Sequence, residues 1–341
     1  MEDRILEHYL EEFHHGIEVD AAEAGTLFDA LIGCDDQSLL AETLKAWNTK
    51  GTSEDEVFAF ASLMRERMKR IESKHETFTD IVGTGGSGSK TFNVSTAAAF
   101  VIAGAGLPVA KHGNRAATSS SGSADALSTL GISVDVDPIE AECHLNKYGL
   151  CFMFAPRFHL LSPTLAAARR SLGRPTIFNN LGPLCNPASA PHTVIGVSDK
   201  HLLESTANVL VRLGAKCSWV VYGENGLDEI ALKGTTLVAE IDDNEVDIFE
   251  ITAADFGVYT LGRELPSNCT AEESAEMIGS VLRNEMKDRD AERLVLINAA
   301  AAIYIAGIAT NLPDAYSVAE TSIRSGSALQ KLNDLRGEST K

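Results

Sequence analysis

Residues 78–106 carry the sequence FTDIVGTGGSGSKTFNVSTAAAFVIAGAG. An apolar strand, TDIV, leads directly into a glycine-rich loop, and an alanine-rich apolar helix opens near Ser95. A strand, a loop and a buried helix in this order are typical of a parallel α/β unit, in which ligands gather at the carboxyl ends of the strands. The stretch therefore predicts an α/β fold with a ligand site beginning at Gly83.

The glycine loop is a candidate phosphate site. Its glycines allow backbone N–H groups to approach an anion closely, and the first turn of the next helix adds further N–H groups and a favourable dipole. Side chains of Asn93, Ser95 and Thr96 supply additional donors. The spacing matches neither the Rossmann nor the P-loop pattern, which argues against NAD binding and ATP hydrolysis. A plain turn is the alternative, and the context favours phosphate.

The alternation of strands and helices continues beyond this unit. Further apolar strands are predicted within residues 108–115, 149–156, 192–197 and 217–223, and a helix within residues 200–214. Strands separated by helices imply a mostly parallel sheet covered on both faces. The late segment NAAAAIYIAG is typical of a tightly packed, buried helix.

Residues 1–72 show no strand pattern and predict consecutive helices. We expect Asp20 to cap the second helix, and Ser53 with Glu56 to form a capping box that opens the fourth. At Phe78 the sequence pattern changes from consecutive helices to alternating strands and helices. The sequence therefore divides into a helical domain, 1–72, and an α/β domain, 73–341.

Composition narrows the functional classes. The chain has 341 residues, of which 44% are apolar and 23% charged, which excludes a disordered or collagen-like protein. Its net charge of −19 opposes binding to nucleic acid or to anionic membranes. No segment has the length of a membrane span, and the N-terminus lacks the features of a signal peptide. The six cysteines form no CxxC pair, so we expect reduced thiols and a cytoplasmic location.

Two further loops follow predicted strands. The first, Lys111-His112-Gly113-Asn114-Arg115, places two permanent cations where an anionic substrate would bind, although basic loops are often merely solvated. The second contains Asp228-Glu229, a carboxylate pair suited to Mg²⁺ bridged to phosphate oxygens. A solvated acidic turn is the alternative for this pair.

Taken together, these motifs resemble a known family. GTGG…TFNVST, VAKHGNR, SGSAD, FMFAP, RRSLG, TIFNNLGPLCNP and GLDE occur in the order and spacing of the anthranilate phosphoribosyltransferases. The resemblance covers almost the whole chain and implies a nucleoside phosphorylase/phosphoribosyltransferase-like fold. Such a fold has a small helical domain, joined by helices from about 162–186, and a large α/β domain. It also implies a homodimer formed through the helical domains.

The resemblance implies transfer of the 5-phosphoribosyl group from PRPP to the amine of anthranilate, with release of pyrophosphate, in tryptophan biosynthesis. Mg²⁺ is the implied cofactor, and no side-chain nucleophile is required, so no residue is assigned as catalytic. The implied PRPP residues are Gly83, Gly85, Gly86, Ser87, Thr91, Asn93, Ser95, Thr96, Lys111 and Ser123. The implied metal ligands are Ser95, Asp228 and Glu229, and the implied acceptor residues are His112, Asn114, Arg169 and Pro183.

The chain departs from the family pattern at three places. Ser87 stands where the family usually has Asp, and Ser120 stands where it has Lys. The loop after Pro156 reads RFHLLSPTLAAARR and keeps His159 without the usual proline. Two alternatives therefore remain: a PRPP-dependent transferase with another aromatic or amine acceptor, and a non-catalytic relative that binds nucleic acid.

Overall fold

The computed structural model describes residues 1–85, 91–116, 120–260, 262, 265–285 and 289–339. The strands are β1 (Thr79–Gly83), β2 (Val109–Gly113), β3 (Leu150–Phe154), β4 (His192–Gly196), β5 (Cys217–Gly223), β6 (Thr236–Asp242) and β7 (Glu245–Ile251). The N-terminal helices are α1 (Glu2–His14), α2 (Ala24–Gly33), α3 (Gln37–Lys50) and α4 (Glu54–Arg67). The helices that follow are α5 (Val94–Gly104), α6 (Ser123–Thr129), α7 (Pro138–Tyr148), α8 (Ala155–Phe158), α9 (Pro163–Leu172), α10 (Ile177–Leu184), α11 (Leu202–Arg212), α12 (Ala271–Leu282), α13 (Arg289–Ile305), α14 (Leu312–Arg324) and α15 (Ser327–Ser339).

The strands form one sheet in the order β3-β2-β1-β4-β5-β6-β7. The pairings from β3 to β5 are parallel, whereas β5-β6 and β6-β7 are antiparallel. The expectation of an α/β fold with a mostly parallel sheet is confirmed. Because the parallel strands run in the same direction, the loops after β1, β2, β3, β4 and β5 meet at one edge of the sheet.

The N-terminal helices form as the sequence predicts, with one exception. Ser53 and Glu56 make both hydrogen bonds of the expected capping box at the start of α4. The prediction that Asp20 caps the second helix is wrong, because α2 begins only at Ala24. The Asp20 carboxylate instead accepts the N–H of Ala22 and closes a local turn.

Alternate side chains on the central strands pack into different cores. Val194 lies in a core with α5 and α13, whereas Ile195 faces a second core that includes Leu6 and Trp47 of the N-terminal helices. Phe178 of α10 also belongs to this second core. Helices α9 and α10 therefore pack against the N-terminal helices, through α3 and α4 respectively. Within the described ranges, no helix combines the length and apolar character needed to cross a membrane.

Candidate active site

A cavity of about 280 Å³ lies at the carboxyl edge of the parallel strands. Its wall brings together most of the side chains and glycines that the sequence predicts: Gly83, Gly85, Asn93, Ser95, Lys111, His112, Asn114, Ser123, Arg169, Pro183, Asp228 and Glu229. Thr96 is buried behind this wall, and Thr91 lines a small neighbouring pocket. Gly86 and Ser87 lie outside the described residues.

Strand β2 supplies a cation and an imidazole to opposite sides of the cavity. Neighbouring residues on a strand point to opposite faces of the sheet. Lys111 therefore lies toward α5, where its Nζ donates to the carbonyl of Ile81 at 2.6 Å and to Ser95 Oγ at 3.4 Å. His112 lies toward α10, with Nδ1 3.2 Å from the carbonyl oxygen of Gly182. We call these two sides the phosphate side and the acceptor side, after the roles that the sequence predicts for their residues.

A buried carboxylate supports the end of β2 from below. Asp80 is fully buried, and its Oδ1 accepts the N–H of His112 at 3.3 Å. The amide of Asn186 donates to Asp80 Oδ2 at 2.6 Å and to the carbonyl of Ala110 at 2.8 Å. Burial raises the pKa of Asp80, although the nearby Lys111 and the amide of Asn186 act in the opposite direction. These contacts tie β1 to β2 directly beneath the site.

The carboxylate pair lies against the glycines of two strand ends. Asp228 Oδ2 accepts the N–H of Gly85 at 3.1 Å and lies 2.5 Å from the position that a Cβ atom on Gly83 would take. The backbone of Asp228 lies even closer to the Cβ position of Gly196. A side chain at Gly196 would therefore collide with backbone, and one at Gly83 would displace the Asp228 carboxylate, for a steric reason that does not depend on phosphate.

The donors on the phosphate side fit a magnesium ion. Asp228 and Glu229 are each only 8% exposed, and they line the cavity together with the hydroxyl of Ser95. Among the described residues, no group of three or more His, Cys, Asp and Glu side chains is arranged to hold a metal. Mg²⁺ usually binds through one or two carboxylates and completes its coordination with substrate phosphates and water. The pair suits a metal of this kind.

The loop after β2 is fixed by a second carboxylate. Asp125 of α6 accepts the N–H groups of Ala116 and Gly122 and pairs with the Arg115 guanidinium at 2.9 Å. Burial raises the pKa of Asp125, but these donors outweigh it and lower the pKa overall. Ser123, at the start of the same helix, donates to the carbonyl of Asn114. The prediction of a loop at 111–115 is wrong for Lys111 to Gly113, which belong to β2, and the following residues Asn114 to Ala116 form an ordered wall rather than a merely solvated turn.

The acceptor side contains a guanidinium stacked on an aromatic ring. The Arg169 guanidinium carbon lies 5.0 Å from the ring centre of Phe178. Its Nε is buried and has no hydrogen-bond partner within the described part of the chain. Burial lowers the pKa of Arg169 to about 10, with a smaller contribution from Arg170, so the side chain remains a cation at neutral pH. A largely buried cation with an unused donor suits a carboxylate ligand.

Two histidines meet on the wall of the same cavity. His112 Nε2 and His159 Nε2 are 3.1 Å apart, and both rings are buried. Burial lowers the pKa of His159 to about 4. Burial first, and the neighbouring His159 second, lower the pKa of His112 well below its usual value. Both imidazoles are therefore neutral near pH 7, and a 3.1 Å contact requires one ring to donate to the other.

Some residues of the cavity wall escape the sequence-based prediction. Phe178 and Asn179 lie inside the quoted motif TIFNNLGPL, yet its periodicity indicates only a loop, whereas the structure forms α10 there. Asn179 caps this helix and also approaches the carbonyl of Thr84 at 3.5 Å. Met64 reaches the cavity from α4, far away in the sequence. A capping signal at Thr176 and Asn179 could have revealed the helix.

Known proteins match the chain over nearly its whole length. Residues 75–329 match the family model described as the glycosyl transferase family, a/b domain. The anthranilate phosphoribosyltransferase of Pelotomaculum thermopropionicum is 41% identical over 322 residues, covering 94% of this chain and 92% of that protein.

Solved structures agree with this match. The anthranilate phosphoribosyltransferase of Thermus thermophilus superposes with a TM-score of 0.87 at 34% identity, covering 98% of this chain and 99% of that one. The Saccharomyces cerevisiae enzyme in complex with PRPP and Mg superposes with a TM-score of 0.88 at 26% identity, covering 99% and 98%. The same yeast enzyme has also been solved with 4-fluoroanthranilate, with a TM-score of 0.87 at 25% identity and the same coverage.

Proposed function

The chain belongs to the family of anthranilate phosphoribosyltransferases, and on this basis we propose that it transfers the 5-phosphoribosyl group of PRPP to the amine of anthranilate. In this reaction the bond from the ribose C1 to pyrophosphate breaks, a bond from C1 to the amine nitrogen forms, and the amine loses a proton. The observation that carries the proposal is a single cavity with Lys111 and Asp228 at one side and Arg169 over Phe178 at the other.

The phosphate side accounts for PRPP binding. PRPP carries its charge on a 5-phosphate and a pyrophosphate, whereas the chain as a whole has a net charge of −19. The cavity wall nevertheless holds the cations Lys111 and Arg115 together with the backbone of Gly83 to Gly85. Fixed cations and N–H groups stabilise the charge that develops on a leaving pyrophosphate without reorganising during the reaction. We include Gly86, Ser87, Thr91 and Thr96 as further PRPP residues on the strength of the family motif.

Magnesium belongs to this side of the proposed site. Asp228, Glu229 and Ser95 would hold it, and the bound ion would neutralise charge on the pyrophosphate as it leaves. The three side chains line the same cavity, and the two carboxylates are nearly buried, which strengthens their attraction for a cation.

The acceptor side accounts for anthranilate. Its carboxylate would pair with the Arg169 guanidinium, whose Nε is buried, and its ring would lie among Phe178, Pro183 and the two neutral imidazoles. Asn114 lines the same cavity. Because neither His112 nor His159 is protonated near neutral pH, they add no second charge that would compete for the carboxylate.

We also infer that the protein is a homodimer in the cytoplasm. We infer that residues 1–72, joined by the helices of 162–186, pair with a second copy to form a homodimer. Ile5, Leu10 and Leu39, on α1 and α3, remain partly exposed, which supports this inference. The six cysteines are all free thiols, which supports a cytoplasmic location. Sedimentation equilibrium should give twice the chain mass, and a dimer should be lost when Leu10 or Leu39 is replaced by Glu.

Complementation combined with an assay tests the function. The chain should restore growth without tryptophan to a strain that lacks this transferase, and the D228N/E229Q variant should not. The purified protein should consume anthranilate only when both PRPP and Mg²⁺ are present. Binding of PRPP without consumption of anthranilate would point instead to another aromatic or amine acceptor, and failure to bind PRPP would contradict the transferase assignment.

A further inference from the structure

The loop that carries Asp228 and Glu229 is held from behind by a buried amide. Asn298 lies on α13, within an alanine-rich stretch at the centre of the core, and is 2% exposed. Its Oδ1 accepts the N–H of Ile230 at 2.9 Å, and its Nδ2 donates to the carbonyl of Ile230 at 3.1 Å. The same Nδ2 also donates to the carbonyl of Leu294, one turn earlier, at 2.9 Å. The Asn298 amide thus holds the N–H and the carbonyl of Ile230, the residue that follows Glu229.

Other contacts hold the same loop on its remaining sides. The hydroxyl of Thr236, which is fully buried, accepts the N–H of Ala231 at 2.9 Å. The carbonyl of Leu227 accepts the N–H of Gly223 at 2.8 Å, and the backbone of Asp228 lies against Gly196. The backbone on both sides of the carboxylate pair is therefore fixed, and Asn298 and Thr236 are the side chains that fix its C-terminal half.

An asparagine in this position requires an explanation. The neighbouring residues of α13, Ile297 and Ala299 to Ala302, are fully buried and apolar. Burying an amide among them is unfavourable unless its polar atoms are paired, and the contacts to Ile230 supply that pairing. Asn298 does not reach the cavity wall, so its contacts act on the site only through the loop.

We propose that Asn298 is a positioning residue, which holds the Glu229–Ile230 peptide so that the carboxylates of Asp228 and Glu229 face the Mg²⁺–PRPP complex. Thr236 has the same role at the next peptide group. This inference rests on the proposed function, because it takes Asp228 and Glu229 as the metal ligands. It adds that binding of the Mg²⁺–PRPP complex depends on Asn298, a residue outside the cavity. Groups that orient metal ligands typically contribute roughly 10- to 100-fold in metal affinity or activity.

Direct binding measurements separate a positioning role from a merely structural one. Calorimetric titration with PRPP at fixed Mg²⁺ is compared for the wild type, D228N, N298D, N298L, T236V and a control, S322A, with thermal unfolding of each variant. N298D keeps the shape and the acceptor for Ile230 N–H but loses both donated bonds, whereas N298L loses all three. T236V keeps the shape of the threonine and removes only the acceptor for Ala231 N–H.

Ser322 provides the matched control. Its buried hydroxyl donates to the carbonyl of Val101 at 2.8 Å, between α14 and α5 and away from the cavity. S322A therefore removes a buried hydrogen bond of the same kind without touching the loop. We expect PRPP binding at fixed Mg²⁺ to weaken roughly 10-fold or more in N298D and further in N298L. PRPP binding at fixed Mg²⁺ should also weaken in T236V, and S322A should bind as the wild type does.

The outcomes distinguish this inference from the proposed function. If D228N weakens binding while N298D and T236V bind as tightly as S322A, the positioning role is overturned and the metal assignment stands. If D228N itself binds Mg²⁺ and PRPP as the wild type does, the metal assignment fails and the inference fails with it. If N298L does not fold, N298D and T236V still decide the question, because each preserves the volume of the core.

Discussion

The backbone carbonyl of Asp228 lies against Gly196, closer to the Cβ position of that glycine than any real Cβ atom approaches an oxygen. Gly196 ends β4, and Asp228 belongs to the loop after β5, so the contact crosses between neighbouring parallel strands. The carboxylate of Asp228 has a similar relationship to Gly83 at the end of β1, at 2.5 Å. Asp228 can therefore occupy this position only because neither Gly196 nor Gly83 has a side chain that would displace it.

A methyl group at Gly196 should displace Asp228. G196A must push backbone atoms rather than a flexible side chain, and an overpacked core typically loses about 1–3 kcal/mol of stability. A displacement of about 1 Å at a reacting centre can lower the rate about 100-fold. We expect a loss of this size in kcat/KM. G25A on α2, where nothing lies within 4 Å of the new methyl group, is the control and should keep full activity. Wild-type activity in a folded G196A protein would contradict this steric argument.

Removing the charge of the carboxylate pair should abolish the response to Mg²⁺. D228N/E229Q nearly conserves volume while removing both anionic ligands, so turnover should collapse and the protein should still fold. The measurement is the initial rate as a function of Mg²⁺ concentration, together with thermal unfolding. D243N/E245Q removes two exposed charges, one from the turn after β6 and one from the start of β7, and should behave as the wild type. Retained turnover of D228N/E229Q at saturating Mg²⁺ would exclude the pair as ligands.

Replacing Arg169 should impair use of the acceptor while sparing PRPP. R169A removes a charge-assisted contact worth about 1.5–3 kcal/mol, so the KM for anthranilate should rise roughly 10- to 150-fold. R169K keeps the charge but not the planar fork of the guanidinium, so its KM for anthranilate should lie between those of the wild type and R169A. R170A, at the exposed neighbouring arginine, is the control. An equal rise in the KM for PRPP in R169A would contradict the assignment of Arg169 to anthranilate.

The sequence predicts the residues at the strand ends better than the contacts that tertiary packing makes. Gly83 ends β1, Lys111 lies near the end of β2 and Asp228 lies in the loop after β5, so their place at the carboxyl edge follows from the strand pattern alone. The pairing of His112 with His159 spans 47 positions and depends on how α8 packs, which no local pattern encodes. The contact between Asn298 and Ile230 spans 68 positions, and an asparagine inside an alanine-rich helix gives no sign of its partner. Tertiary packing decides both contacts.

The buried histidine pair should make stability depend on pH below neutrality. Burial lowers the pKa of His159 to about 4 from the ordinary 6.5, so between these values the unfolded chain binds more protons than the folded chain. Stability should therefore fall as the pH falls through this window. Each pKa unit corresponds to about 1.36 kcal/mol, so His159 should contribute a loss on the order of 3 kcal/mol.

The H159Q variant isolates this contribution. It keeps a polar side chain of similar reach but cannot be protonated, so its free energy of unfolding should fall less steeply from about pH 6.5 to about pH 4 than that of the wild type. Burial lowers the pKa of His112 in both proteins, but H159Q also removes the smaller lowering that His159 causes, and this change flattens the curve of the variant in the same direction. Urea unfolding at half-unit pH intervals gives the two curves. Between about pH 7.5 and about pH 9 His159 is neutral in both the folded and the unfolded states, and the curves should run parallel. Parallel curves down to about pH 4 as well would show that His159 is not held neutral by burial.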